Sequence, residues 1–327
     1  MFSKLLIAAA FSFSVFTAFS QTDTGKNTNT KLIKVNNKVY MIQGKGGNIG
    51  FSFGSDGVFM VDDQYAENIN QIQQKIKSVS DKPVEFLVNT HFHIDHTGAN
   101  ALVAESGVII FSHDNVRVRL LEMIEKEKKK VPQEILPMVT FSEEMTFNYN
   151  GDKIFIFHVP NAHTDGDALV YFTNDNVLHA GDVFFNGKYP FIDIENGGSL
   201  EGSFLAIDKI LKVINEDTKI IPGHGDIGTF KDLENTKYML SSIYKQVTAK
   251  YLSKKTEEEV AKMTDLTKEY DRQGYGTGLV KTEDFLRIVY KEVAKEMSSD
   301  TERIQKNKEA MEKYKEMEKK LKEKNKE

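Results

Sequence analysis

His91-Phe92-His93-Ile94-Asp95-His96 sets the reading of this chain, because three of its 8 histidines fall within that one window. The residues before it, Val84-Glu85-Phe86-Leu87-Val88-Asn89, read as a strand, apolar and β-branched in the middle. The chain then leaves the sheet at Thr90. If it stays extended, His91, His93 and Asp95 project to one side, since side chains alternate along a strand. His96 follows Asp95 directly and must point elsewhere. One short loop thus offers donors in two directions, which suits two neighbouring metal ions better than one. Imidazole and carboxylate are both ligands of catalytic zinc.

Further donors stand downstream, each just past an apolar run. Asn161-Ala162-His163-Thr164-Asp165-Gly166-Asp167 follows Ile154–Val159, and His179-Ala180-Gly181-Asp182 follows Asn176-Val177-Leu178. Ile221-Pro222-Gly223-His224-Gly225 follows Thr218-Lys219-Ile220. Strand ends that feed one rim are how open sheets gather residues from distant sequence. Asp62 and Asp63 end a further strand, Gly57–Val61.

Taken in order, HxHxDH, HTxG, GD and PGHG resemble the metallo-β-lactamase superfamily, over roughly residues 31 to 295. The resemblance implies an α+β four-layer αββα sandwich and a dinuclear site. By it, His91, His93 and His163 hold the first metal. Asp95, His96 and His224 hold the second, and Asp182 bridges both. Asp62 supports the metal loop by hydrogen bonds rather than binding metal. The ions implied are two zinc per chain, with iron or manganese as alternatives. A metal-shared water, its pKa lowered from about 16 to about 7, then supplies hydroxide at neutral pH. Asp95 is the candidate catalytic group that orients this nucleophile and moves a proton.

One departure narrows the resemblance. The best-known antibiotic-degrading members place a cysteine on the second metal, and this chain has none. Aspartate at 182 resembles the glyoxalase II, lactonase and RNA-processing branches instead. An all-nitrogen-and-oxygen site is harder than one with thiolate, which admits iron or manganese. His93 stands where the di-iron electron-transfer members carry a carboxylate, which favours zinc.

The reading is therefore an exported metal-dependent hydrolase of an ester, lactone, thioester or amide. β-Lactam hydrolysis is the nearest alternative, and persulfide oxidation at a single iron is another. A small molecule is the expected substrate. The net charge of −5 gives no support for nucleic-acid binding. In the loop after Asp182, Lys188 is expected to bind a substrate carboxylate. Tyr189, Phe191 and Phe184 are expected to supply apolar walls.

Residues 1–20 carry one cation, Lys4, an apolar run from Leu5 to Phe19, and the small-x-small end Ala18-Phe19-Ser20. This is a secretory signal pattern with Gln21 as the mature start, a periplasmic or secreted chain and no stable membrane insertion after cleavage. Residues 21–30 read as a polar flexible segment, 31–295 as one catalytic domain, and 296–327 as a charged helix or tail. That tail reads as solvated, with a homodimer-forming helix as the alternative. Helices are expected at 66–78 and 113–131, the latter ending at Pro132. His158 and His179 read as core histidines, and His113 as a surface loop residue.

Overall fold

The computed structural model describes residues 30–127 and 133–324. The signal pattern, most of the 21–30 segment and the helix stop at Pro132 lie outside the described residues. Four strands open the chain: β1 (Lys31–Lys34), β2 (Val39–Gln43), β3 (Ile49–Phe53) and β4 (Val58–Val61), paired antiparallel in sequence order. A helix, α1 (Ile69–Lys77), leads to β5 (Val84–Asn89), and the metal-loop segment follows as α2 (Ile94–Thr97) and α3 (Asn100–Ala104). Next come β6 (Ile109–His113), α4 (Asp114–Glu127) and β7 (Val139–Phe141), which complete a seven-stranded sheet whose second half is parallel.

The second sheet begins with β8 (Glu144–Tyr149), β9 (Asp152–His158), β10 (Ala168–Phe172) and β11 (Val177–His179). After α5 (Leu200–Val213), β12 (Lys219–Ile221) enters it parallel to β11, and β13 (Gly228–Thr229) closes its edge. The chain ends in helices α6 (Phe230–Leu252), α7 (Glu257–Ala261), α8 (Lys268–Arg272) and α9 (Thr282–Lys324). α9 runs unbroken through the 295/296 boundary expected from the sequence.

The period-two pattern of the strands builds the layers. In β4, Phe59 and Val61 face the other sheet, where they meet Ile154, Ile156, Val170 and Phe172. Val58 and Met60 alternate with them and pack on Ile69, Ile72 and Ile76 of α1. In the second sheet, Phe157, Leu169 and Leu178 turn outward onto α5, α6 and the first part of α9, where Phe285, Leu286, Val289 and Val293 are buried. Helices, sheet, sheet and helices thus form the αββα sandwich. Among the described residues, no helix is long and apolar enough to cross a membrane.

Two histidines outside the site differ in outcome. His158 does face inward with Ile154 and Ile156 and is half-buried. His113 is no surface residue: β6 continues through it, it is 6% exposed, and its ring stacks on His158 at 3.7 Å and 12°.

Candidate metal centre

The site lies where β4, β5, β9, β11 and β12 end. At the end of β4 the backbone turns sharply, with Asp62 at φ 63° and wholly buried. Its carboxylate accepts from Thr90 N (2.7 Å), Thr90 Oγ1 (2.8 Å) and His96 Nδ1 (2.7 Å). Asp62 thereby ties the start of the metal loop to its end. Asp63 plays a separate part, accepting from Ala99 N at 3.0 Å and so holding the chain between α2 and α3.

The chain does not stay extended beyond His93. The backbone becomes helical at Ile94, so Asp95 leaves the side shared by His91 and His93 and joins His96. Donors still diverge into two directions, but a helical turn does it rather than strand alternation. His91, His93, His163 and Asp182 form one group and Asp95, His96 and His224 a second; within each, the donor atoms lie within 4.8 Å of one another. Asp182 faces both. Its Oδ2 is 3.8 Å from His91 Nε2, 3.6 Å from His163 Nε2 and 3.5 Å from His224 Nε2. Its Oδ1 is 3.1 Å from His96 Nε2. Asp95 Oδ2 lies 3.3 Å from His224 Nε2 and 3.6 Å from His96 Nε2.

Two glycines make this closeness feasible. A Cβ at Gly223 would overlap Asp182 Oδ1, and one at Gly47 would overlap the His96 ring. Gly47 belongs to the β2–β3 loop, which is pinned to the site by Gly47 N to Asp95 O (3.1 Å) and Asn48 N to Gly223 O (2.7 Å). His179 packs beneath, wholly buried, with Nε2 donating to Asn48 O at 3.0 Å.

Outer hydrogen bonds set which nitrogen each imidazole offers. Thr90 spends its hydroxyl proton on Asp62, so its oxygen accepts from His91 Nδ1 at 3.1 Å and leaves His91 Nε2 as the lone pair. His163 Nδ1 donates to Phe191 O at 2.8 Å, freeing its Nε2. His93 is held the other way round, with Nε2 against Asp193 Oδ2 at 2.9 Å.

Burial, followed by His96, holds His91 well below the ordinary histidine value. Burial likewise pushes His163 down to about 4, so both stay neutral. In the second group burial also pulls downward, but Asp182 and Asp62 outweigh it at His96, which rises well above its ordinary value. Asp182 and Asp95 do the same at His224, raising it to about 9. Burial raises the Asp182 carboxyl, and His224, His96 and His91 more than reverse it.

Donor chemistry and unmet polarity both fit metal ions here. His96 Nε2, His224 Nε2 and Asp182 Oδ1 are buried without a hydrogen-bond partner. Such groups are costly unless something pairs with them, and all three converge on the space between the two groups.

Lys188 and Tyr189 require a correction. Lys188 Nζ donates to Gly274 O (3.0 Å) and Thr277 Oγ1 (2.7 Å). Tyr189 is 1% exposed, stacks on Phe285 at 4.5 Å and donates to Asp271 Oδ1 at 2.9 Å. Both side chains fasten the loop after Asp182 to the segment around α8 and the turn that leads into α9. Phe184 is likewise wholly buried. Phe191 does stand at the site, its ring 6.0 Å from that of His93 and 5.8 Å from that of His163. Phe185 stacks on His224 at 4.9 Å. Asp193 and Phe185 went unread in the sequence. The Asp193-Ile194-Glu195-Asn196-Gly197-Gly198 stretch carries a turn signal that could have marked the loop, though not its partner.

The family model of the metallo-beta-lactamase superfamily matches residues 39–224, which include all seven donors. The chain belongs to the metallo-beta-lactamase superfamily. A probable metallo-hydrolase of Methanocaldococcus jannaschii is 28% identical over 199 residues, 58% of this chain and 87% of that protein. A hydroxyacylglutathione hydrolase of Pelagibacter ubique is 28% identical over 157 residues, 46% of this chain and 56% of that protein. Among solved structures, a metallo-beta-lactamase from Pontibacter korlensis has a TM-score of 0.56 at 20% identity, covering 65% of this chain and 99% of that one. A sec-alkylsulfatase from Pseudomonas sp. reaches 0.63 at 17% identity, covering 80% of this chain and 50% of that one. These structures share the fold. Family and donor set together make this superfamily member a metallo-hydrolase, with two His/Asp clusters consistent with a dinuclear site.

Proposed function

We propose that the chain is an exported dinuclear hydrolase, zinc-dependent, that cleaves an ester, lactone, thioester or amide of a small molecule. The observation that carries this reading is Asp182, whose two oxygens face donors of both groups while Oδ1 lacks a hydrogen-bond partner. His91, His93 and His163 would hold one ion, Asp95, His96 and His224 the other, with Asp182 shared. Bound there, two divalent ions would supply Lewis acidity and acidify a shared water from about 16 to about 7.

The chain's own groups do the rest. Burial raises the Asp95 carboxyl, but the neighbouring His224 and His96 outweigh that and hold it below its ordinary value. Asp95 is therefore ionised at neutral pH, and its oxygens can accept the proton of the attacking water and hand it to the leaving atom. Phe191 forms an apolar wall beside His93 and His163, and Ile94, 48% exposed, presents a second apolar contact from the metal loop. Export rests on the pattern of residues 1–20 and is tested by finding Gln21 as the mature N-terminus outside the cytoplasm.

Elemental analysis followed by a substrate panel tests the reading. Two ions per chain with turnover of lactones, thioesters or esters is expected. β-Lactam turnover alone would move the assignment to the antibiotic-degrading branch. One iron with persulfide oxidation and no hydrolysis would overturn it.

A further inference from the structure

Three imidazole nitrogens converge in the first group. His93 Nδ1 lies 3.1 Å from His91 Nε2 and 3.0 Å from His163 Nε2. For all three to offer lone pairs, each ring must carry its proton on the other nitrogen. The two buried rings manage this with neutral neighbours, Thr90 and Phe191 O. His93 differs. Its side chain is 20% exposed, against 1% for His91 and for His163, so water competes for it. The group that holds its outer nitrogen is a carboxylate, Asp193 Oδ2, at 2.9 Å.

We propose that Asp193 is the positioning residue of the first metal group, fixing the tautomer and ring orientation of His93. An ionised carboxylate only accepts. It takes the proton on Nε2 and leaves Nδ1 as the lone pair, the atom that faces the other two rings. The inference rests on the reading of His93 as a metal donor.

The loop that carries Asp193 is built for the task. Asn196 N (3.2 Å) donates to Oδ1 and Asn196 Nδ2 (2.7 Å) to Oδ2, so the carboxylate is itself oriented. Gly198 N donates to Asp193 O at 2.8 Å, and Asp193 N donates to His163 O at 2.9 Å. A Cβ at Gly198 would overlap His163 O, so glycine there lets the loop lie on the His163 turn. One loop therefore holds the His93 ring by the Asp193 side chain, the His163 ring by Phe191 O and the His163 backbone by Asp193 N. Outer partners of ligating histidines typically set metal affinity by about 10–100-fold.

The test uses the full chain, stripped and refilled with zinc against a competing chelator. Asp193→Ala is expected to weaken one of the two ions about 10–100-fold and leave the other unchanged. Asp193→Asn, close in shape and still able to accept from Asn196 N, should weaken the same ion, because its amide can donate to His93 and stabilise the wrong tautomer. Asn196→Ala disturbs the turn but keeps the Asp193–His93 contact, so both ions should remain. A purely structural role predicts the reverse ranking of those two variants. In the proton spectrum of zinc-loaded protein, the downfield, hydrogen-bonded Nε2–H resonance of His93 should persist in Asn196→Ala and vanish in Asp193→Ala. Wild-type affinity for both ions in Asp193→Ala and Asp193→Asn, with His93→Ala losing one, would overturn the inference alone. If His93→Ala also keeps both ions, the reading of the metal centre falls first.

Discussion

Asp182 Oδ1 lies 3.1 Å from His96 Nε2, and neither atom has a hydrogen-bond partner. The same carboxylate reaches His91, His163 and His224 through Oδ2 at 3.5–3.8 Å. A buried acid among four imidazoles is an arrangement that a charged guest completes. Glycine at 223 allows the approach, since any side chain there would displace the carboxylate.

On the proposed assignment, Asp182→Ala should therefore loosen an ion at Asp95, His96 and His224 first, because His91, His93 and His163 would still hold the other. Loss of an outer partner typically costs about 10–100-fold, so loss of a shared ligand should cost at least about 10²-fold in kcat/KM. Asp182→Cys supplies a thiolate without the two-oxygen bridge, and should bind zinc yet stay impaired on the native substrate. Two ions and near-normal kcat/KM in Asp182→Ala would show Asp182 to be an ordinary turn residue.

Asp62→Ala should act on the second group without touching metal directly. It removes the acceptor of His96 Nδ1 and bares two donors of Thr90 in a wholly buried place. A buried unmet donor costs about 1–3 kcal/mol, so the melting temperature should fall along with affinity for one ion. Asp63→Ala should lower the melting temperature and spare metal affinity, since its bond goes to Ala99 N. Chelator titration beside thermal unfolding separates the two.

These residues were open to sequence reading for a local reason. Each donor sits within a few residues of a strand end, in a turn marked by Gly or Pro, so pattern and chemistry coincide in one window. What failed depended on partners far along the chain. Asp193 reaches His93 across 100 residues, and Tyr189 reaches Asp271 across 82. No local signal distinguishes an aspartate aimed at a histidine from one that caps a turn, and here Asp193 does both. Lys188 and Tyr189 follow Asp182 closely in sequence, yet the segment that claims them lies at the other end of the chain. His113 was misplaced by the length of a single strand.

The C-terminal helices should divide in their effects. Phe285, Leu286, Val289 and Val293 are wholly buried on the second sheet, so Phe285→Ala should cost about 3–5 kcal/mol. Deleting Asp300–Glu327 removes no donor of either group, and should preserve metal content and kcat. Tyr189→Phe removes one bond to Asp271, which still accepts from Thr282 and Thr267, so about 1 kcal/mol is expected with KM unchanged. A rise in KM for Tyr189→Phe or Lys188→Ala, with metal content intact, would return those residues to the substrate site.

The stacked pair His113–His158 should make stability depend on pH. Burial first, and then the neighbouring His113 ring, push His158 down to about 4, while burial lowers His113. An unfolded histidine titrates near its ordinary value of about 6.5. Between about pH 6.5 and 4 the unfolded chain therefore binds more protons than the folded one, and stability rises with pH across that window. The contribution is fully present above about pH 6.5 and is lost as the pH falls through about 4. Asp165 and Asp114 act against the depression, but burial outweighs them at both rings. His163 of the metal centre is also pushed down to about 4, so the absolute profile does not isolate the pair. The difference between wild type and His158→Phe does, because both proteins share His163. The variant keeps an aromatic ring against His113 and loses the His158 bond to Asp167 O, so it should melt lower than wild type at pH 7.5. Its melting temperature should then fall less steeply than that of wild type between pH 6.5 and 4, with the two curves converging. Parallel curves across the window would show that His158 titrates alike in the folded and unfolded chains.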